Sequence, residues 1–275
     1  AQDNGFSFGL NNYSAMVGLS KHLVATQFFV NYPILSSRNS IGAVGNIEGY
    51  GNEHVKECLL NFSHNFSIDK TKVFVGIAGG LSHYSLSFDD INIKDKNDPL
   101  LNDYNYDIVP TFSSGLSVIH MSFRFDLILN NITKSRVNLF NTNGYPTRRT
   151  MSTTTSYQFN VSNNVKLIPE LGFYLDDGNE PLLDVKLFSE FIKILYIGVS
   201  GNSFGEIKTY TMANISTIIH TDNQIFLGIS SGWGTSQLYN STYGSYGVNL
   251  KINIVRNPSP TKIKNQVKAI SPITF

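Results

Sequence analysis

Glu170, Asp184, Lys186, Glu190 and Lys208 are ionisable residues set in or beside short segments that otherwise alternate apolar and polar side chains. Each falls on the polar parity of its segment. On a lipid-facing surface such a charge costs about 2–4 kcal/mol near the bilayer midplane. The five are therefore expected to face an aqueous lumen, paired or wet. They could make that lumen conduct or hold a ligand, or they could only plug and stiffen a barrel. The second role is the preferred reading.

The other reactive side chains form no constellation. His22, His54, His64, His83, His120 and His220 are scattered over different strands and turns, with no pair at metal-ligand spacing. Serines lie near His83 and His120, but there is no G-x-S-x-G elbow, H-E-x-x-H, C-x-x-C or phosphate-cradling glycine loop. No enzymatic activity and no cofactor are expected. The stretch 89–107 is rich in oxygen donors, among them Asp95, Asn97, Asp98 and Asp103, with Pro99 between them. Calcium takes about six to eight such oxygens, but the central glycine of an EF-hand is missing. A solvated outer loop able to touch a partner is the better reading. Cys58 is the one cysteine, which excludes an intramolecular disulfide. Its strand-like surroundings, 55–62, predict a buried, inert thiol.

These residues need walls to hold them, and the wall signal is a period of two. Val165, Leu167, Leu171, Phe173 and Leu175 share one parity, while Lys166, Glu170, Gly172 and Asp176 share the other. Such alternation is a strand with one apolar and one polar face. Segments of this kind, divided by turns of Asn, Asp, Gly or Ser, run over about 12–19, 23–32, 41–48, 54–66, 72–86, 108–120, 122–129, 150–160, 164–175, 182–190, 193–200, 206–219, 224–233 and 244–254. They predict an all-β fold: a transmembrane, antiparallel, up-and-down β-barrel of about 14 strands over 1–254, followed by a C-terminal tail, 255–275. Tyr84, Phe88, Tyr174, Tyr196, Tyr243 and Tyr246 sit near strand ends, where an aromatic girdle is expected.

Composition agrees with this reading. Charged residues make up 15% of the 275, against about 25% in an average soluble domain. No run reaches the ~20 apolar residues of a helical span, a test that barrel strands of about 9–11 residues escape. A net charge of +1 carries no basic stripe, so no nucleic-acid partner is expected.

The connections suggest an orientation. Numbered in order, most long ones, including 88–107, 130–149, 176–181 and 234–243, are odd, and most short ones, including 67–71, 161–163, 191–192 and 220–223, are even. Outer-membrane barrels have short periplasmic turns and longer outer loops, so both termini are expected in the periplasm. The opening Ala1-Gln2-Asp3 resembles a signal-peptidase product, so export with a cleaved signal peptide is expected. In the tail, Pro258, Pro260 and Pro272 resist regular pairing. The tail also carries Ile263, Val267, Ile270 and Phe275, candidates for a periplasmic contact. Phe275 is either a separate assembly signal or a coincidence.

One stretch resembles a known family. Lys72-Val-Phe-Val-Gly-Ile-Ala-Gly-Gly-Leu-Ser-His-Tyr-Ser-Leu-Ser-Phe88 looks like the strand before the long loop of the PorP/SprF outer-membrane proteins. Asn97-Asp98-Pro99-Leu100-Leu101-Asn102 is similar to that family's loop, and Val109-Pro110-Thr-Phe-Ser-Ser-Gly-Leu116 to its next strand. The start and Thr26-Gln-Phe-Phe-Val-Asn-Tyr-Pro33 also fit. Asn12-Tyr13-Ser14-Ala15-Met16-Val17-Gly18 keeps the family's Asn, Ala and Gly but lacks its proline, and the tail is extra, which marks a divergent member. The resemblance implies an outer-membrane barrel that works with the type IX secretion machinery of Bacteroidetes-type bacteria. It would assist secretion or surface anchoring of a partner such as a gliding adhesin. The main rival is a diffusion channel or small-solute transporter on the same scaffold. Further behind stand an outer-membrane enzyme and a soluble β-sandwich.

Overall fold

The computed structural model describes residues 5–19, 22–34, 38–87, 106–139, 145–177, 180–203, 206–214, 224–234 and 242–254. Its strands are β1 (Phe6–Ala15), β2 (Leu23–Pro33), β3 (Asn39–Tyr50), β4 (Glu53–Ile68), β5 (Thr71–Leu86), β6 (Tyr106–His120) and β7 (Phe123–Asn130). There follow β8 (Arg136–Val137), β9 (Tyr145–Pro146), β10 (Thr150–Tyr157), β11 (Phe159–Asn160), β12 (Val165–Asp176) and β13 (Leu182–Phe191). The last are β14 (Leu195–Asn202), β15 (Glu206–Asn214), β16 (Gln224–Gly234) and β17 (Ser245–Ile254). Without the two-residue β8, β9 and β11, these form a closed antiparallel barrel of 14 strands. β1 pairs with β17, with Leu10 opposite Leu250, and β10 pairs with both β7 and β12.

Residues directly opposite in antiparallel strands share a face, so each face can be followed around the barrel. Leu227, Leu250, Leu10 and Phe28 form one outward row, continuing to Gly45. Phe28 covers that glycine so closely that a β-carbon there would lie 2.0 Å from the ring. The matching inward row is Asn11, Gln27, Asn46, Glu57 and Ser82. Burial is inverted relative to a soluble protein: Leu60 is 70% and Ile77 61% exposed, while Asn11 is fully buried and Ser82 1% exposed. Large apolar side chains outside and polar ones inside suit a wall bathed in lipid and argue against a soluble sandwich.

Parity also corrects two expectations. Cys58 is exposed rather than buried. It shares the outward parity of Leu60 and Phe62, and an apolar neighbourhood in a barrel wall means lipid, not core. Tyr84, Tyr174 and Tyr196 are not in a girdle either. They stand opposite Asp107, Ser152 and Glu190 on the inward face, and Tyr196 is 8% exposed. Outward aromatics near the two rims include Tyr32, Phe123, Tyr157 and Phe191 at one, and Tyr106, Trp233, Tyr243 and Tyr246 at the other. Phe88 lies outside the described residues.

Two strands differ from expectation by more than two residues, and 215–219 of the segment expected over 206–219 lie outside the described residues. β1 begins at Phe6, because Phe8 and Leu10 face outward against Ser7, Gly9 and Asn11 inward. The segment expected over 150–160 breaks at Gln158: β10 ends at Tyr157, and Phe159 and Asn160 pair separately with Leu167 and Lys166 of β12.

β1 begins and β17 ends at the same mouth of the barrel, here the near mouth; β5 ends and β6 begins at the far mouth, as do β7 and β10 respectively. The wall is uneven. β4 and β5 have 16 residues each, whereas β7 and β10 have 8. β6 therefore overhangs β7, their first pair at the far end being Ser114 with Leu129. An open edge invites pairing with other chains, and this one is capped. Ile132 donates its backbone N–H to the Phe112 carbonyl at 3.0 Å, and Ser135 its hydroxyl to the Pro110 carbonyl at 2.5 Å. Pro110 has no N–H to leave unpaired. Asp107 accepts from the N–H groups of Ile108 and Asn138 at 2.8 and 2.6 Å.

Leu171→Arg or Leu250→Arg places a charge in hydrocarbon at about 2–4 kcal/mol and is expected to block assembly. Arg at Gly172 or Asn249, one residue away on the inner face, is expected to be better tolerated. The check is the heat-modifiable mobility of the folded barrel; equal tolerance at both parities would overturn the face assignment.

Candidate functional site in the lumen

The register of β12 against β13 sets Lys166 opposite Glu190 and Glu170 opposite Lys186. All four side chains point inward and pair directly. Lys166 Nζ lies 2.9 Å from Glu190 Oε1, and Lys186 Nζ lies 3.0 Å from Glu170 Oε1. Asp184 is two residues before Lys186 on the same face and completes a triad, with Oδ2 at 3.2 Å from Nζ. Glu170 is 4% and Lys186 7% exposed, so both charges are withdrawn from solvent and depend on each other.

The next strands continue the network. Lys208 stands opposite Ser200 on β14 and Gly232 on β16, and its Nζ is 3.3 Å from Glu206 Oε2. The same ammonium sits 4.5 Å from the centroid of the Tyr13 ring, close enough for a cation–π contact. Tyr13 donates its hydroxyl to Glu206 Oε1 at 3.1 Å, and Ser245 donates to the same oxygen at 3.2 Å. On β7, Arg124 grips Asp126 through Nε and Nη2, at 2.5 and 3.1 Å. The lumen thus carries paired charges on β7, β12, β13 and β15, the last joined by Tyr13 of β1.

Opposite, the wall is mostly amide. Asn11 donates to Gln27, Gln27 to Asn46, and Asn46 to Glu57, at 3.2, 3.0 and 2.9 Å. Ser82 donates to the other Glu57 oxygen at 2.9 Å. Each link crosses one strand boundary, so the chain ties five adjacent strands together from inside.

At the far mouth, the connection between β7 and β10 reaches the inner face. Val137 is fully buried and Leu139 is 5% exposed, both packed on Val109 with Tyr84 and Leu86 beside them. Those three wall residues have inward parity, so the connection narrows this mouth. On the rim above, Lys134 Nζ bonds Asp177 Oδ2 at 2.5 Å. That bond holds the Asp177 carboxyl below its ordinary value.

Glu170, Asp184, Lys186, Glu190 and Lys208 are all placed in the lumen, and Glu170, Asp184 and Lys186 meet in one cluster. Asp95, Asn97, Asp98, Pro99 and Asp103 lie outside the described residues, as do Ile263, Val267, Ile270 and Phe275. Among the described residues no group of three His, Cys, Asp or Glu side chains could hold a metal ion. Sequence reasoning did not single out Arg124, Asp126, Lys166, Glu206, Tyr13 or Glu57 as site residues. Parity was the available signal: Asp126, for example, alternates with Phe125 and Leu127.

A closed barrel with an apolar exterior and a polar, ion-paired interior defines the class: this is an outer-membrane β-barrel. Solved structures of that class share its fold. Omp33 of Acinetobacter baumannii is 9% identical, with a TM-score of 0.51 over 92% of this chain and 100% of that one. The CymD monoaromatic hydrocarbon channel is 8% identical, with a TM-score of 0.52 over 91% of this chain and 87% of that one. A deletion mutant of the TodX monoaromatic hydrocarbon channel is 10% identical, with a TM-score of 0.52 over 92% and 89%. No curated protein matches the chain. Residues 1–252 match the type IX secretion system membrane protein PorP/SprF, and the chain belongs to that family.

Removing one partner of a buried ion pair costs about 3–5 kcal/mol. Lys186→Met should lower the stability of the folded barrel in lipid vesicles by an amount of that order, read from urea unfolding. Adding Glu170→Gln should restore part of it. An unchanged midpoint in the single variant would mean that the triad is fully hydrated.

Proposed function

We propose that this barrel is a non-enzymatic component of type IX secretion that assists the export or surface anchoring of a partner protein, such as a gliding adhesin of a Bacteroidetes-type bacterium. The observation that carries the reading is the family match over residues 1–252. The lumen supports it. Its charges on β7, β12, β13 and β15 are paired with one another, and the far mouth is narrowed by Val137 and Leu139. Such an interior acts as a polar core that stiffens the wall. The working surfaces are then the rims.

The far mouth is assigned to the cell exterior, because it carries the longest connections, 87–105 and 131–149. Both termini then lie in the periplasm, after export with a cleaved signal peptide. The tail would meet the secretion machinery there, through Ile263, Val267, Ile270 and Phe275. The outer loop, with Asp95, Asn97, Asp98, Pro99 and Asp103, would meet the secreted partner. A second reading, a diffusion channel or small-solute transporter, is favoured by the descriptions of CymD and TodX as hydrocarbon channels.

Deleting the gene should remove a small, defined set of secreted proteins from the cell surface, measured by surface proteomics, and the wild-type barrel should restore it. An unaltered surface, with slowed uptake of a small solute, would favour the channel. Orientation has its own test. A cysteine at Asn97 or Asn141 should react with an impermeant maleimide on intact cells, and one at Asn163 should not. Labelling only at Asn163 would invert the barrel.

Deleting 257–275 should leave a folded, heat-modifiable barrel that restores less of the surface set. Full restoration would mean that the tail makes no functional contact. Failure to assemble would mean that Phe275 is an assembly signal.

A further inference from the structure

The wall is lowest where β7 and β10 stand side by side. Eight residues at ~3.3 Å each, tilted by ~40°, rise roughly 20 Å, less than the ~25 Å apolar band of such barrels. Lipid headgroups at this place must come down to the level of the connection above the strands. There, on the outer surface, lies a groove of about 320 Å³. Its floor is one outward row, Leu129 opposite Met151 and Met151 opposite Leu175, with Ile132 beside it.

Basic residues stand at the head of this groove. Arg149 lines it, fixed by an Nε–H bond to the Ile132 carbonyl at 3.1 Å. Lys134 stands beside it, bonded to the Asp177 that lines the groove, with its side chain 42% exposed. That leaves two cations, Arg149 and Lys134, against one carboxylate. An apolar floor at hydrocarbon depth, with net positive charge at headgroup depth, has the chemistry of a lipid that carries phosphate.

We propose that this groove binds a phosphorylated glycolipid of the outer leaflet, with an acyl chain on the Leu129–Met151–Leu175 row and its phosphate on Arg149 and Lys134. The leaflet follows from the orientation proposed above. The binding chemistry does not depend on it, so the test uses purified protein and leaves orientation to surface labelling.

Delipidated barrel in non-ionic detergent would be offered diphosphorylated lipid A, the same lipid dephosphorylated, and phosphatidylglycerol, with retention read by native mass spectrometry. Two extra cation–phosphate contacts at about 1 kcal/mol each predict at least about tenfold preference for the diphosphorylated lipid over its dephosphorylated form. Arg149→Gln with Lys134→Gln should bring the two close to parity. Each single variant should lose part of the preference, so the test stands even if the double variant fails to assemble. Lys56→Gln, an outward cation on the distant strand β4, should change nothing. Equal retention of both lipid A forms would overturn the proposal. So would phosphatidylglycerol binding as tightly, displacement by millimolar inorganic phosphate, or a preference that survives in the variants.

Discussion

A strand inside a bilayer has no water to satisfy its backbone, so every N–H and C=O must find its partner within the sheet. That constraint closes β1 onto β17, and the rest of the structure follows from the closure. A closed antiparallel sheet has one inside and one outside, and parity assigns each side chain to one of them. Outside, the solvent is hydrocarbon, and Leu60, Ile77 and Ile229 are among the most exposed side chains. Inside, Glu170, Lys186, Glu190 and Lys166 find one another across a single pair of strands.

The same constraint explains how the low part of the wall is finished. Where β6 outruns β7, its edge would carry unpaired groups at the membrane surface. The Ile132 backbone and the Ser135 hydroxyl of the following connection cap it, the strand's own Asp107 accepts from the Ile108 and Asn138 N–H groups, and proline removes one donor. The connection that does this also sends Val137 and Leu139 onto the inner wall. One segment therefore protects the edge and narrows the far mouth.

Much of this is legible in the chain because a period of two needs no tertiary information. Alternation around Glu170 and around Asn249 is enough to assign their faces. Pairing partners are harder, since they depend on register: nothing local says that Lys186 meets Glu170 rather than another inward carboxylate. Cys58 and Tyr196 were misread by a different route. For Cys58, an apolar neighbourhood means core in a soluble protein but lipid in this wall, and parity groups it with Leu60; for Tyr196, a place near a strand end suggests a girdle, but parity puts it in the inward set. The inward fold of Val137 and Leu139 had no signal, because that segment has no period and is held by contacts distant in sequence.

The central physical claim is that this lumen is a core rather than a pore. Charges on one side of the interior pair with one another, amide side chains tie together adjacent strands on the other, and an apolar pair narrows the far mouth. Single-channel recording of the purified barrel in planar bilayers tests it most directly. The account predicts insertions without a steady open level at moderate voltage. A stable, ohmic conductance in every inserted barrel would contradict it.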